Sequence, residues 1–401
     1  MNYVAGPVLA VFLQLVAPVV ASADVGEMAR LTAETRKFYD RKDYERAAQA
    51  ARKAVAIAKK DLPEDDPRLA TLFSNLAAVY KAQGRYDSAE PLYKKALTIR
   101  RNRFGSDSPV AAVGQSELAS LYELDGRDKE AAPLYQKSIS VLKKSVGDDD
   151  PRVATELMKL ADLQTRQGKF KDAEPLYERA IAIREKKLGA THEDVAASVN
   201  SLATLYKAEG RTDRAEAAFE RAIRIQKEGR GTRTAETATA IAALADFYRE
   251  QGDTAKASEA YLRALEIRQK VLQPGDPVLI GNLDVVASLH DADGDLDKAL
   301  PLYELALAQR EKSLGESHPD VIENLLSLAS SHRRSADLVE AERYYLRALA
   351  AQEKAFGANS AALVPTLDAL VVVLSDLGRN SEATRLDSRA RNLRSAATSS
   401  H

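Results

Sequence analysis

Seven glycines, at Gly84, Gly126, Gly168, Gly210, Gly252, Gly294 and Gly378, stand in one phase of 42 residues. Ala336 fills the one missing slot, and Lys42 occupies the slot before Gly84. No insertion disturbs this phase from residue 42 to residue 378. A chain with a fixed period of this length is an array of one supersecondary unit, and it can grow without building a single large core.

The content of the unit is helical. Around the first glycine the chain reads Phe73-x-x-Leu76-Ala77-x-x-Tyr80, then Gly84, then Ala89-x-x-x-Tyr93-x-x-Ala96. The second half recurs as Ala131 with Tyr135, Ala173 with Tyr177, Ala215 with Phe219, Ala257 with Tyr261, Ala299 with Tyr303 and Ala341 with Tyr345. The first hairpin carries it as Ala47, Ala51 and Ala54 after Tyr44. Residues four apart share a helical face. A small residue lets two antiparallel backbones approach, and the aromatic one turn away fills the space beyond. Helix starts recur in the same phase: Asp66-Pro67, Ser108-Pro109, Asp150-Pro151, Asp276-Pro277 and His318-Pro319. Asp and Ser cap helices, and Pro suits the first helical position. His192, Thr234 and Ser360 fill the cap slot elsewhere. Each unit therefore reads as a capped helix of about 17 residues, a turn, a second helix of similar length and a short linker.

These landmarks keep the spacing W-x-x-L-G-x-x-Y…A-x-x-x-F of a tetratricopeptide repeat, with Phe73 in the Trp slot, Ala77 in the small slot and Tyr93 in the Phe slot. HEAT and armadillo repeats share the period but not the internal distances. Asn75-Leu76-Ala77-Ala78-Val79-Tyr80, Gly84-Arg85-Tyr86, Ala89-Glu90-Pro91-Leu92-Tyr93 and Gly315-Glu316-Ser317-His318-Pro319 resemble the 42-residue repeats of the kinesin light chain type. The resemblance covers about residues 25–394. It implies an all-α, right-handed superhelical solenoid of about nine helix-turn-helix repeats, and a role in holding other proteins. In that family an Asn before the Leu-Ala pair often holds a bound peptide's backbone. Here only Asn75 keeps it; Glu117, Lys159, Ser201, Ala243, Val285, Ser327 and Ala369 stand in its place. No motor-associated coiled-coil heptads are present, so a kinesin role is not implied.

The resemblance also implies which positions face the groove. They are Asn75 and Lys81, then Lys159, Asp162 and Arg166, Asn200 and Lys207, Asp246 and Arg249, Asp284 and Asp291, with Arg333 and Arg334 further on. In the centre, cations at Lys159, Arg166, Lys207 and Arg249 alternate with acids at Asp162 and Asp246. Such a face suits a partner's extended, partly acidic segment or C-terminus; charged helical faces are also common without a ligand.

Composition narrows the classes. Lys and Arg number 58 against 59 Asp and Glu, so no global field points toward nucleic acid or an anionic membrane. The absence of cysteine excludes disulfides, thiolate metal sites and Cys nucleophiles. No H-E-x-x-H, G-x-S-x-G or phosphate-loop pattern occurs. His192 and His318 sit in cap slots, and Asp148-Asp149-Asp150 lacks the spacing of a calcium loop. No cofactor, metal site or catalytic residue is assigned, and the chain is not read as an enzyme.

The ends differ from the array. Val8 to Val20 is an apolar run followed by Ala21-Ser22-Ala23, an A-x-A cleavage pattern. It reads as a signal peptide over residues 1–23, with an uncleaved N-terminal anchor as the alternative. The array then spans 24–394, and 395–401 reads as a disordered tail. Export to a periplasm or the extracellular space follows from the signal. In the last repeat, Pro365 falls in the opening turns of the first helix and delays or kinks it. The apolar run Val371-Val372-Val373-Leu374 marks that repeat as a cap or a self-association patch. The function expected is a protein-interaction scaffold; the alternative is an accessory subunit of an envelope enzyme complex.

Overall fold

The computed structural model describes residues 23–398. All regular structure among them is helical, and the chain divides into two compact units between Ala218 and Phe219. The apolar run read as a signal lies outside the described residues, as do Ala21 and Ser22 of the cleavage pattern, whereas Ala23 opens the first helix.

The first unit holds α1 (Ala23–Asp40), α2 (Tyr44–Asp61), α3 (Pro67–Ala82), α4 (Tyr86–Phe104), α5 (Pro109–Leu124), α6 (Asp128–Val146), α7 (Pro151–Arg166), α8 (Phe170–Leu188), α9 (Glu193–Glu209) and the start of α10 (Thr212–Arg230). The second holds the rest of α10, α11 (Ala235–Glu250), α12 (Thr254–Val271), α13 (Pro277–Ala292), α14 (Leu296–Leu314), α15 (Pro319–Arg334), α16 (Leu338–Phe356), α17 (Val364–Asp376) and α18 (Asn380–Thr398). From α1 to α8 and from α11 to α18, odd and even helices pair as the period requires. From α2 to α9 and from α12 to α17, the second helix of one hairpin also packs on the first helix of the next.

Local chemistry sets the boundaries. The side chains of Asp66, Ser108, Asp150, Thr234 and Asp276 accept hydrogen bonds from backbone N–H groups of the first helical turn. His192 and His318 do the same through Nδ1, from Asp194 N at 3.1 Å and Asp320 N at 3.2 Å. These histidines serve the backbone, as their slot implied. The turn that follows each first helix needs a left-handed residue. Lys42 and Ala336 take φ values of 59° and 60° there, the same conformation as the glycines of the other turns. The array imposes the turn even where the residue resists it.

The core follows the Ala and Tyr landmarks. Ala89, Ala131, Ala173, Ala257, Ala299 and Ala341 are fully enclosed, and the aromatics four residues later are buried with them. A larger side chain at the alanine slots meets a facing backbone, and overpacking of this kind costs about 1–3 kcal/mol.

The last hairpin departs as Pro365 requires. A 3-10 turn at Ala361–Leu363 precedes α17, which starts late and runs only 13 residues. Ala383, Ala390 and Leu393 of α18 are buried, whereas Arg385, Arg391 and Asn392 are exposed, so its outer face is polar. Helix α18 runs through Thr398. Ser395 to Thr398 of the expected tail are therefore helical, and residues 399–401 lie outside the described residues.

Candidate interaction face of the first helices

In the first unit, α3, α5, α7 and α9 lie side by side with polar side chains bonded across the seams. Ser74 Oγ donates to Glu117 Oε2 at 2.8 Å, and Lys81 Nζ to Ser120 Oγ at 3.2 Å, joining α3 to α5. Between α5 and α7, Ser116 Oγ donates to Glu156 Oε1 at 2.9 Å and accepts from Lys159 Nζ at 2.6 Å, while within α7 Lys159 Nζ also donates to Glu156 Oε1 at 2.7 Å. Arg166 Nη2 reaches back to Glu123 Oε1 at 2.7 Å. Several partners stand close to one repeat apart, so the period that stacks the helices also pairs their charges.

Second helices support this face from behind. The tyrosines of the Ala-x-x-x-Tyr motif thread their hydroxyls between helices to first-helix carboxylates. Tyr135 donates to Glu123 Oε2 and Tyr177 to Asp162 Oδ1, each at 2.6 Å. Arg100 of α4 pairs with Glu117 while only 3% exposed. Asp162 is exposed to solvent on one side, while neighbouring groups crowd its carboxyl. Desolvation pushes its carboxyl up to about 6 against the Tyr177 hydrogen bond, with Glu123 adding to the rise and Arg166 opposing it. Burial likewise lowers the Lys81 ammonium.

Two expected face residues are corrected by this packing. Asn75 is 5% exposed and Lys81 9% exposed, so neither stands open on the face. Lys81 is bonded to Ser120 of α5, and Ser74, next to Asn75, to Glu117 of the same helix. The amide Nδ2 of Asn75 is enclosed without a hydrogen-bond partner. Lys159 is half-buried and already bonded, and Asp162 and Arg166 are exposed. Asn200 and Lys207 on α9 are half-buried.

A family model for the tetratricopeptide repeat matches the chain in overlapping windows at residues 68–144, 110–186, 152–228, 194–270, 233–312, 279–354 and 320–396.

The chain belongs to the tetratricopeptide repeat family.

Among solved structures it is similar to BtubC (BKLC) from P. vanneervenii, at 25% identity over 62% of this chain and 92% of that one, with a TM-score of 0.47. It is also similar to the nearly identical TPR-like repeats of a putative kinesin light chain from Podosopora anserina, at 25% identity over 52% and 98%, with a TM-score of 0.47. MamA matches at 19% identity over 50% and 92%, with a TM-score of 0.36. No curated protein matches the chain.

In the second unit of this tetratricopeptide array, the remaining face residues are also paired. Asp246 receives Arg249 Nη2 at 3.1 Å and the Tyr261 hydroxyl. Asp284 receives Arg310 Nη1 at 2.9 Å. Asp291 accepts from Ser331 Oγ at 3.0 Å and pairs with Arg334. Arg333 is exposed. The acids Glu117, Glu123 and Glu156 were missed as members of the face. Glu117 had a signal, since it fills the Asn slot. Glu123 and Glu156 had none, because each also takes a partner, Arg166 and Ser116 respectively, from a neighbouring repeat.

Away from the face, Asp149 binds Arg179 and Lys186, and Asp150 pairs with Arg152 while capping α7. Among the described residues no group of three or more His, Asp or Glu is placed to hold a metal ion, and no helix is long and apolar enough to cross a membrane.

Proposed function

We propose that this tetratricopeptide protein is an exported, non-catalytic scaffold that holds an extended segment of a partner protein on the first-helix face of its first unit. The observation that carries the proposal is the state of α7. Asp162 and Arg166 are exposed, and Lys159 stands half-open beside them on the same helix. All three are held in place, by Tyr177, Glu123 and Ser116 respectively. A prearranged polar row on rigid helices suits recognition of a peptide's backbone and charged groups. Asn200 and Lys207 of α9 extend the row.

The cations of this row already have acidic partners or other bonds. A ligand's carboxylate competes with Glu123 and Glu156 for Arg166 and Lys159. Binding is therefore salt-sensitive and exchanges readily. Export is supported by the apolar run Val8 to Val20 and the Ala21-Ser22-Ala23 pattern. Self-association through the last repeat has the exposed Val372 in its favour.

The test is the triple variant Lys159→Glu, Arg166→Glu and Lys207→Glu, used as bait after crosslinking in the native host. Loss of the partner with helicity retained is expected. Unchanged capture by the folded variant removes the face from consideration. A stoichiometric enzyme among the captured proteins favours the accessory-subunit role, and fractionation of the same cells tests export.

A further inference from the structure

The near-neutral total charge conceals a polar distribution. Residues 24–104 contain 18 Lys and Arg against 12 Asp and Glu, a net of +6, whereas residues 105–401 contain 40 against 47, a net of −7. Charge asymmetry of this kind is a sign of an anionic partner at one end.

The structure places much of the excess on the second-helix side of the first two hairpins. Arg52, Lys53, Lys59 and Lys60 on α2 and Lys95 on α4 are exposed, and Arg101 on α4 is half-exposed. The two helices share this surface. Lys59 and Lys95 converge on the ring of Phe73, with their ammonium groups 5.6 Å and 6.0 Å from its centroid. None of the six is in an ion pair among the described residues, unlike Lys94, whose ammonium is 2.6 Å from Glu90. Asp61, Glu64 and Asp65 are exposed at one end of the surface. Helices α14 and α16, by contrast, each carry as many acids as bases. Cations outside any ion pair cost little to bring to an anionic surface, because no ion pair must first be broken.

We infer that the basic second-helix surface of the first two hairpins docks on an anionic phospholipid bilayer. The cations lie along two neighbouring helices, and those of α2 span roughly 12 Å from Arg52 to Lys60 at 1.5 Å per residue. This is the layout of a juxtamembrane basic cluster that reads lipid charge. Phe104, exposed at the end of α4, adds one apolar side chain. A nucleic-acid platform for single strands would present a series of aromatic rings, and among the described residues of α2 and α4 Phe104 is the one exposed aromatic. The apolar run Val8 to Val20 precedes α1 by a few residues, and α1 packs on α2. If the run engages a bilayer, as the export reading proposed above requires, the hairpin that follows it in the chain is the basic one. The docking surface is separate from the first-helix face and does not depend on what that face holds.

The test is sedimentation of the full chain with phosphatidylcholine vesicles containing about 30% phosphatidylglycerol, compared with phosphatidylcholine alone, at about 0.1 M salt. An apolar N-terminal segment binds both vesicle types alike, so the ratio between them isolates the charge effect. The wild type is expected to favour the anionic vesicles at least tenfold, and to lose the preference at about 0.5 M salt. Replacing the six cations by Gln abolishes the preference. The double variant Lys59→Gln, Lys95→Gln, which is gentler on folding, reduces it about threefold. Replacing Lys298, Lys312, Arg343 and Lys354 on α14 and α16 leaves it intact. Equal binding to the two vesicle types by the wild type overturns the proposal. So does an undiminished preference in the folded double variant, or retention on a short RNA at a salt concentration where anionic vesicles are ignored.

Discussion

Arg100 of α4 lies across Gly114 of α5, so closely that a methyl group at 114 would stand 3.2 Å from its Nη1. The same methyl would approach Leu97 Cδ1 to 3.0 Å and the Leu97 backbone to 3.4 Å. The missing side chain opens the route by which Arg100 reaches Glu117. Gly to Ala inside a helix ordinarily stabilises by about 1 kcal/mol, and overpacking costs about 1–3. The second effect wins here. Gly114→Ala is expected to lower stability by about 1 kcal/mol in urea unfolding, and Arg100→Met, which strips Glu117 of its partner, by about 3. A more stable Gly114→Ala protein removes this explanation of the glycine.

The turn at Ala336 yields the opposite sign. Its φ of 60° costs an L residue about 1–2 kcal/mol, and glycine regains part of that at the expense of extra freedom in the unfolded chain. Ala336→Gly should stabilise by about 0.5–1 kcal/mol, seen as a raised midpoint of thermal unfolding. Gly294→Ala, the same turn one repeat earlier, should destabilise by a similar amount.

Glu90 ties two hairpins together. It accepts from the Tyr122 hydroxyl at 2.9 Å and from Arg127 Nη1 at 2.6 Å, while the Arg127 guanidinium lies 4.1 Å from the Tyr122 ring centroid. Two repeats later Glu174, Tyr206 and Arg211 repeat the arrangement. Burial opposes ionisation of Glu90, but hydrogen bonds from Arg127, Lys94 and Tyr122 prevail and hold its carboxyl at about 2. A depressed carboxyl stabilises the fold above its unfolded value and loses that contribution as pH falls through the folded one. Glu90→Gln should therefore cost about 1 kcal/mol at neutral pH. The gap between variant and wild type should narrow below about pH 4.5 and close near pH 2. A gap independent of pH would mean that charge is not what holds the seam.

Asp162 titrates the other way. Its carboxyl is raised to about 6, so the fold favours the protonated form, and a penalty accumulates as pH rises from the ordinary carboxyl range through 6. Asp162→Asn keeps an acceptor for Tyr177 and removes the charge. Because solvent reaches this side chain, the gain at pH 7.5 should be about 1 kcal/mol rather than the full value of the shift. It should vanish by about pH 4. Thermal unfolding of the two proteins across this range checks the sign.

The fold was legible because its determinants are local and periodic. The cap residues, the turn glycines and the Ala–Tyr pairs each act within one hairpin, and every hairpin restates them. The face was legible only in outline. Lys159, Asp162 and Arg166 lie where helical phase puts them, on one side of α7. The bonds of Ser74 and Lys81 to Glu117 and Ser120 depend on how α5 lies against α3, a relation between repeats that spacing within a repeat does not contain. Glu123 was invisible for the same reason, since Tyr135 and Arg166 reach it from two other helices. The basic surface was hidden for a different reason: opposite charge further along the chain cancelled it in the total.

The unbroken phase of the turns has a consequence for how such a chain can change length. Excising 42 residues from one cap to the next joins an Asp-Pro or Ser-Pro start to the linker it already follows elsewhere, and the partners across the new seam meet in register. Removing two further residues inside a helix turns the rest of that helix by about 200° about its axis and breaks the register of its alanine face. Whole hairpins are thus the natural unit of gain and loss, and the span of the molecule is adjustable in fixed steps.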